Sequence, residues 1–342
     1  MDIYETINNK NKEVAIKIYE HYRELYPRYR NDVFREKTIQ DVEYNLSYLA
    51  TAIKYKEPNI FADYIDWFRQ LAEGYGLNFD LFKDSLRYMA EISTEFYATD
   101  IAELIKKYVN DSLEIYKQIE EAEFSHRYDD YYQRYKEALL STNNAEAWNV
   151  VNELTKNEVK TEDIYILIFA RAQYEIGQLW QKNKISVAQE HYATAVTQSI
   201  MSNIYSKVVS FKPDAHTLVA VGTSGELHEI GIRMVADFFE INGWNSVFFG
   251  SNTPSESVTS FIEHNNVDLL AIGVTLPPHL VEMQRLIELV RKTRSDLPII
   301  VGGKAVSGNI DLARKLGADT TAFSVKDAVR KGEKLVSGRR HD

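Results

Sequence analysis

The sequence predicts a multidomain α and α/β protein: an all-helical N-terminal domain over residues 1–126, a four-helix bundle over 127–211, and a flavodoxin-like doubly wound parallel sheet over 216–338. Three observations predict it. Up to about residue 125, apolar and aromatic residues recur at helical spacing. From about 127 to 210, four more helical segments are separated by short polar breaks, as in an antiparallel bundle. From about 216 onward, short apolar runs alternate with amphipathic stretches, a pattern that right-handed crossovers turn into a parallel sheet.

In the first region Ile101, Leu104, Ile105, Tyr108, Ser112, Ile115 and Ile119 mark one long amphipathic helix. Segments near 9–27, 38–56, 58–75 and 79–97 read similarly, broken by Pro27, Pro58 and the Gly74/Gly76 pair. Aromatics such as Tyr19, Tyr22, Trp67, Phe68, Phe79 and Phe82 read as core, and His21 as an ordinary helical histidine. The bundle helices fall near 129–140, 144–156, 161–182 and 184–208, the third opened by the acidic cap Thr161-Glu162-Asp163. Phe211–Ala215 reads as a linker. Strands are expected near 217–222, 246–250, 268–273, 298–301 and 319–323.

Bulk properties narrow the function. A composition of 44% hydrophobic and 26% charged residues is that of a globular chain. The absence of cysteine excludes disulfides, thiolate metal sites and cysteine nucleophiles. No apolar run reaches membrane-spanning length and the N-terminus lacks a signal-peptide core, so a cytoplasmic location is expected, with no membrane partner. The net charge of −10 argues against direct DNA binding. The first 125 residues hold 16 Lys and Arg against 24 Asp and Glu, an acidic surface suited to a protein partner.

The residues that carry chemistry follow the strand ends, where open α/β sheets bind ligands. Thr223-Ser224 and Glu226-Leu227-His228-Glu229-Ile230-Gly231 follow the first strand, and Asn252 the second. Gly273-Val274-Thr275-Leu276 ends the third, and Gly302-Gly303 the fourth. The ordered set E-x-H-x-x-G, G-x-T and G-G resembles the cobalamin-binding domain of corrinoid proteins. That family's usual pattern is D-x-H-x-x-G, S-x-L or S-x-T, and G-G. The resemblance implies that His228 is the lower axial cobalt ligand and that Glu226 accepts its other ring N–H. It also implies that Gly231 lets the following helix start pack closely, and that the small residues leave a slot for the displaced nucleotide tail. Thr223, Ser224, Asn252, Val274, Thr275 and Leu276 would complete the rim. One departure is Gly273, which stands where the family usually has Ser.

A second motif lies in the bundle. Trp180 is followed by nine residues and then Glu190-His191. This W-x9-E-H arrangement resembles the bundle of CarH-type photoreceptors, over the last two domains only. The typical basic winged-helix DNA reader of those proteins has no counterpart here. The resemblance implies that Trp180 packs against an adenosyl group, that Glu190 meets its ribose, and that His191 ligates cobalt from above once the alkyl group leaves. The implied function is a non-enzymatic light sensor with adenosylcobalamin as chromophore. It would signal through the N-terminal helices to a protein partner or a second copy in a homo-oligomer. The alternative is a corrinoid methyl-carrier subunit holding methylcobalamin, and a third reading is cobalamin storage or transport.

Overall fold

A computed structural model describes residues 2–26, 32–116, 125–208, 216–306 and 308–338. It divides into two compact units, residues 1–121 and 122–342.

The first unit is helical throughout its described residues: α1 (Ile3–Asn8), α2 (Asn11–Leu25), α3 (Asp32–Tyr55), α4 (Pro58–Tyr75), α5 (Phe79–Phe96) and α6 (Thr99–Ile115). The expected segments are present, but α3 starts six residues before the expected 38, and α1 is additional. The expected extension of the last helix to Ile119 lies outside the described residues. Local chemistry sets the boundaries. Pro58 opens α4, where its missing N–H costs nothing. The Asn78 side chain accepts from the N–H groups of Asp80 and Leu81 to start α5. Leu46, Leu49, Phe61, Ile65, Leu86 and Ile105 are fully buried. Phe68 stacks on Phe82 at 3.8 Å, and His21 on Tyr88 at 3.9 Å, so His21 is a packed ring of the core's edge.

The second unit begins with the bundle: α7 (Asp129–Leu140), α8 (Asn144–Lys156), a third rod from Thr161 to Gln181, and α11 (Val187–Val208). The third rod is α9 (Thr161–Asp163), a π-helical segment (Ile164–Ala170) and α10 (Arg171–Gln181). Helix α11 starts at 187 and not at 184, because Ser186 and Gln189 make a capping box. The Gln189 N–H donates to Ser186 Oγ at 3.3 Å, and the Ser186 N–H donates back to Gln189 Oε1 at 3.0 Å. Tyr132, Tyr135, Tyr165 and Phe169 fill the bundle core. The buried Arg171 guanidinium lies 3.7 Å from the centre of the Tyr132 ring and binds Asp129 at 2.7 Å.

The remainder alternates strand and helix: β1 (Thr217–Gly222), α12 (Ile230–Ile241), β2 (Asn245–Phe248), α13 (Ser255–His264), β3 (Leu269–Gly273), α14 (Leu280–Thr293), β4 (Ile299–Gly302), α15 (Ile310–Lys315), β5 (Thr320–Thr321) and α16 (Val325–Ser337). All pairings are parallel, in the order β2-β1-β3-β4-β5. This is the expected flavodoxin-type winding. Val219 pairs with Val247 on one side and Leu270 on the other, and Ala271 with Ile300. The central strands are apolar runs because helices cover both faces. The outer strands β2 and β5 are shorter than expected, four and two residues, which leaves little unpaired edge. The expected linker 211–215 lies outside the described residues.

Bundle and sheet domain meet along α11 and α12, which run in the same direction. Gln198 donates to Glu229 at 3.4 Å, Arg233 donates to Ser202 at 2.9 Å, and Tyr205 bonds Glu240. From the π-helical segment, Tyr165 donates to Asp237 at 2.8 Å. Burial pushes the Asp237 carboxyl up to about 6, with Glu240 adding to the rise and the Tyr165 bond and Arg233 opposing it. The folded state thus keeps a proton that the unfolded chain releases near pH 4, and stability falls as pH rises from about 4 to about 6. Asp237→Asn keeps an acceptor for Tyr165 without a charge. It is expected to stabilise the protein by about 1–3 kcal/mol at pH 7.5 and to flatten the pH dependence between 4 and 7. Urea melts of both proteins across that range are the measurement, and parallel curves would contradict the account.

Candidate functional site

The loops after β1 and β3 flank the point where the strand order reverses, so they face each other across the sheet's carboxyl edge. Glu226 joins them. Its carboxylate is 1% exposed and accepts from five donors. Oε1 takes the His228 ring Nδ1–H at 2.5 Å and the His228 main-chain N–H at 3.0 Å. Oε2 takes the N–H groups of Thr275 at 2.7 Å and Leu276 at 3.2 Å, and His279 Nδ1 at 3.4 Å. Burial alone would raise this carboxyl, but donation from His228, His279 and the main chain outweighs it and holds the group well below the usual carboxylate range.

Because an ionised carboxylate only accepts, the His228 ring proton sits on Nδ1, and Nε2 carries the lone pair. The side chain is 54% exposed, so Nε2 is available as a ligand. His279 escaped the sequence reading. Pro277 and Pro278 open a 3-10 turn (Pro277–His279) that folds this imidazole back onto Glu226. The proline pair beside a histidine just past a strand end was the signal.

Beside these loops a cavity of about 270 Å³ runs between α12 and α16 along the ends of β3 and β4. His228, Gly231, Val274, Thr275, Gly302 and Gly303 all line it. A Cβ at Gly231 would meet nothing within 4 Å, so the expected close packing of that helix start is not found, and Gly231 instead opens the cavity wall. Gly303 has φ +97°, and a Cβ there would lie 2.1 Å from the Val274 carbonyl oxygen. Asn252 accepts from the Gly225 N–H at 2.8 Å and so braces the His228 loop. Ser224 is half-buried on that loop. Thr223 is fully buried, with its hydroxyl unpaired among the described residues.

The expected bundle residues lie on α10 and α11. Trp180, half-buried, is the penultimate residue of α10, and Glu190 and His191 lie in the first turns of α11. Glu190 Oε2 takes His191 Nδ1 at 2.6 Å, while Oε1 accepts from Thr194 at 3.1 Å. The His191 side chain is 75% exposed. Gln198 already touches Glu229, beside His228, and His191 lies seven residues before it on α11, about 10 Å further along the axis. His191 in the bundle and His228 in the sheet domain thus each have Nδ1 held by a carboxylate.

This donor set fits a metal that arrives with most of its ligands in a macrocycle. It supplies one or two axial nitrogens, and no group of three or more His, Cys, Asp or Glu among the described residues could hold a bare ion. The small-residue cavity at the strand ends gives a planar cofactor's side chain somewhere to go. Residues 216–330 match the B12 binding domain family, and residues 131–205 match a second B12 binding domain family. Cobalamin binding is the property both matches support.

Among curated proteins, the trimethylamine corrinoid protein of Methanosarcina barkeri is 24% identical over 201 residues, 57% of this chain and 92% of that protein. The HTH-type transcriptional repressor CarA of Myxococcus xanthus is 22% identical over 135 residues, 40% of this chain and 46% of that protein. The solved monomethylamine corrinoid protein of Methanosarcina barkeri shares the fold, with a TM-score of 0.55 at 19% identity over 62% of this chain and all of that one. Among the described residues no helix is long and apolar enough to cross a membrane.

Proposed function

We propose that this chain is a cobalamin-dependent light sensor, a binding protein and not a catalyst, that signals through protein contacts of its N-terminal helices. The observation that carries the reading is the overhang of α11, which holds the Glu190–His191 pair beyond the loop of His228. A methyl carrier has no need of a second carboxylate-held imidazole. Bound adenosylcobalamin supplies a cobalt–carbon bond that visible light cleaves. His228 Nε2 would hold the cobalt, with Glu226 fixing its tautomer. Trp180 would cover the adenosyl group, and Glu190 would meet its ribose. In the absence of that group His191 Nε2 would be the bundle's donor to the same metal, and the two imidazoles would tie the bundle to the sheet domain. The two states then differ in domain packing, as a ligand-driven switch requires. The acidic first unit, with Leu25, Val33, Phe34 and Tyr44 exposed, suits a protein partner or a second copy more than DNA.

The test compares illuminated wild type with His191→Ala, both loaded with adenosylcobalamin. Wild type is expected to gain a bis-imidazole cobalt spectrum and a changed hydrodynamic radius, and the variant neither. Identical responses would remove His191 from any switch. A corrinoid methyl carrier is the second reading, favoured by the match along 92% of the trimethylamine corrinoid protein. Methylcobalamin in the purified protein, with methyl transfer to a thiol in the dark, would establish it.

A further inference from the structure

A glycine inside a helix weakens it relative to alanine, and a fold tolerates one where any side chain would collide. Gly332 of α16 is such a case: a Cβ there would lie 2.6 Å from the Phe239 ring and 2.7 Å from Leu269. Gly177, in the middle of α10, is not. Among the described residues, a Cβ at Gly177 would meet no heavy atom within 4 Å. Its backbone is ordinary helix, so neither packing nor conformation asks for glycine. The missing side chain leaves a notch in the bundle surface.

The register of α10 against α11 says what borders this notch. The two helices are joined by the short turn 182–186 and run antiparallel. Gln173 fixes their alignment. Its Nε2 donates to Thr197 Oγ1 at 2.9 Å and to the Ala193 carbonyl at 3.3 Å, which leaves Oε1 facing the Thr194 hydroxyl at 3.0 Å. One turn on along α10 and one turn back along α11 bring Gly177 level with Glu190. Trp180 follows on the same side of α10. The polar cluster at this point is one donor short. The Thr194 hydroxyl has a single proton, and it lies within reach of two acceptors, Gln173 Oε1 and, at 3.1 Å, Glu190 Oε1. A hydroxyl brought to Glu190 would leave Thr194 free to serve Gln173, and every acceptor would be met.

Resting on the cobalamin-binding reading, we propose that Gly177 is the residue that sets the size of the group accepted on the upper side of cobalt. Its notch, bordered by Glu190 and Trp180, gives room to a nucleoside-sized group that carries hydroxyls. A branched side chain at 177 would lean back toward Gln173 and close that room, leaving space for a methyl group only.

The test titrates the full-length apoprotein in the dark with adenosylcobalamin and with methylcobalamin, and the absorbance of bound corrinoid reports each Kd. Wild type is expected to bind both. Gly177→Leu should weaken adenosylcobalamin by about 10-fold or more, as overpacking does, and leave methylcobalamin within about 2-fold. Gly177→Ala should melt about 1–4 °C above wild type, since α10 itself has no use for glycine. Weakening of both cobalamins alike by Gly177→Leu, or of neither, would overturn the proposal, as would a Gly177→Ala protein that melts below wild type. Wild type that takes methylcobalamin and refuses adenosylcobalamin would sink the light-sensor reading and this proposal together. Failure of both cobalamins to bind wild type would instead overturn the cobalamin reading beneath them.

Discussion

Glu226→Ala is expected to destabilise the second unit by about 3–5 kcal/mol and to weaken cobalamin binding by about 10–100-fold, less than loss of the ligand His228. The carboxylate is buried, and five donors converge on it from the two loops that form the rim. Removing it leaves the N–H groups of His228, Thr275 and Leu276 without their acceptor and parts the tie between the two loops. His228→Ala separates binding from folding. That side chain is half exposed, so its loss should move stability by about 0.5 kcal/mol or less while weakening cobalamin by more than about 100-fold. Urea melts beside cobalamin titrations of the two variants make the comparison, and matching melts would contradict the anchoring role of Glu226. The carboxyl also predicts an acid limit. Its pKa is depressed in the folded state, so its contribution is full above the unfolded value near 4 and is lost as pH falls below that.

Gly303→Ala is the second large effect, expected to cost about 3–5 kcal/mol. The methyl group would fall 2.1 Å from the Val274 oxygen and 2.7 Å from its carbonyl carbon, both main-chain atoms that can yield only if the β3 and β4 loops part. To this is added the strain of φ +97° on a residue with a Cβ. Gly308→Ala is the control. Its φ of +71° is also left-handed, but a Cβ there meets nothing within 4 Å, so about 1 kcal/mol is expected. Equal losses in denaturant melts would mean that conformation, and not the clash, sets the cost at Gly303.

The architecture was legible because its signals are periodic. Apolar strands such as Leu218–Gly222 and Leu269–Gly273, each followed by a helix, permit few windings. In the bundle, side chains cap the starts of α8 and α11, at Asn143 and Ser186, but the expected cap at Thr161 is not found, since α9 follows Lys160 with no side-chain cap. His228 and Glu226 were legible as a pair two residues apart, and the geometry joins them. The π-helical segment was not legible, since Ile164–Ala170 reads as any buried helix and its altered hydrogen bonding depends on tertiary packing. His279 was missed because its partner lies 53 residues away, a distance that only the sheet topology closes. The polar seam left one trace, Asp237 and Glu240 within the otherwise apolar Met234–Ile241, which a solvent-facing helix side would have explained equally well.

The seam between α11 and α12 has a mechanical consequence. Thr194, Gln198, Ser202 and Ser206 recur every four residues along α11, and each can both donate and accept. Glu229, which precedes α12, and Arg233, four residues on, now engage the middle two. Sliding α11 by one turn, about 5.4 Å, would set Glu229 and Arg233 against Ser202 and Ser206, or against Thr194 and Gln198. Either way both stay paired, at the cost of the Tyr205–Glu240 and Tyr165–Asp237 bonds, whereas half a turn strands all of these groups. The joint is a track with stops, so the bundle would travel over the sheet domain in whole turns, a digital displacement and not a graded one.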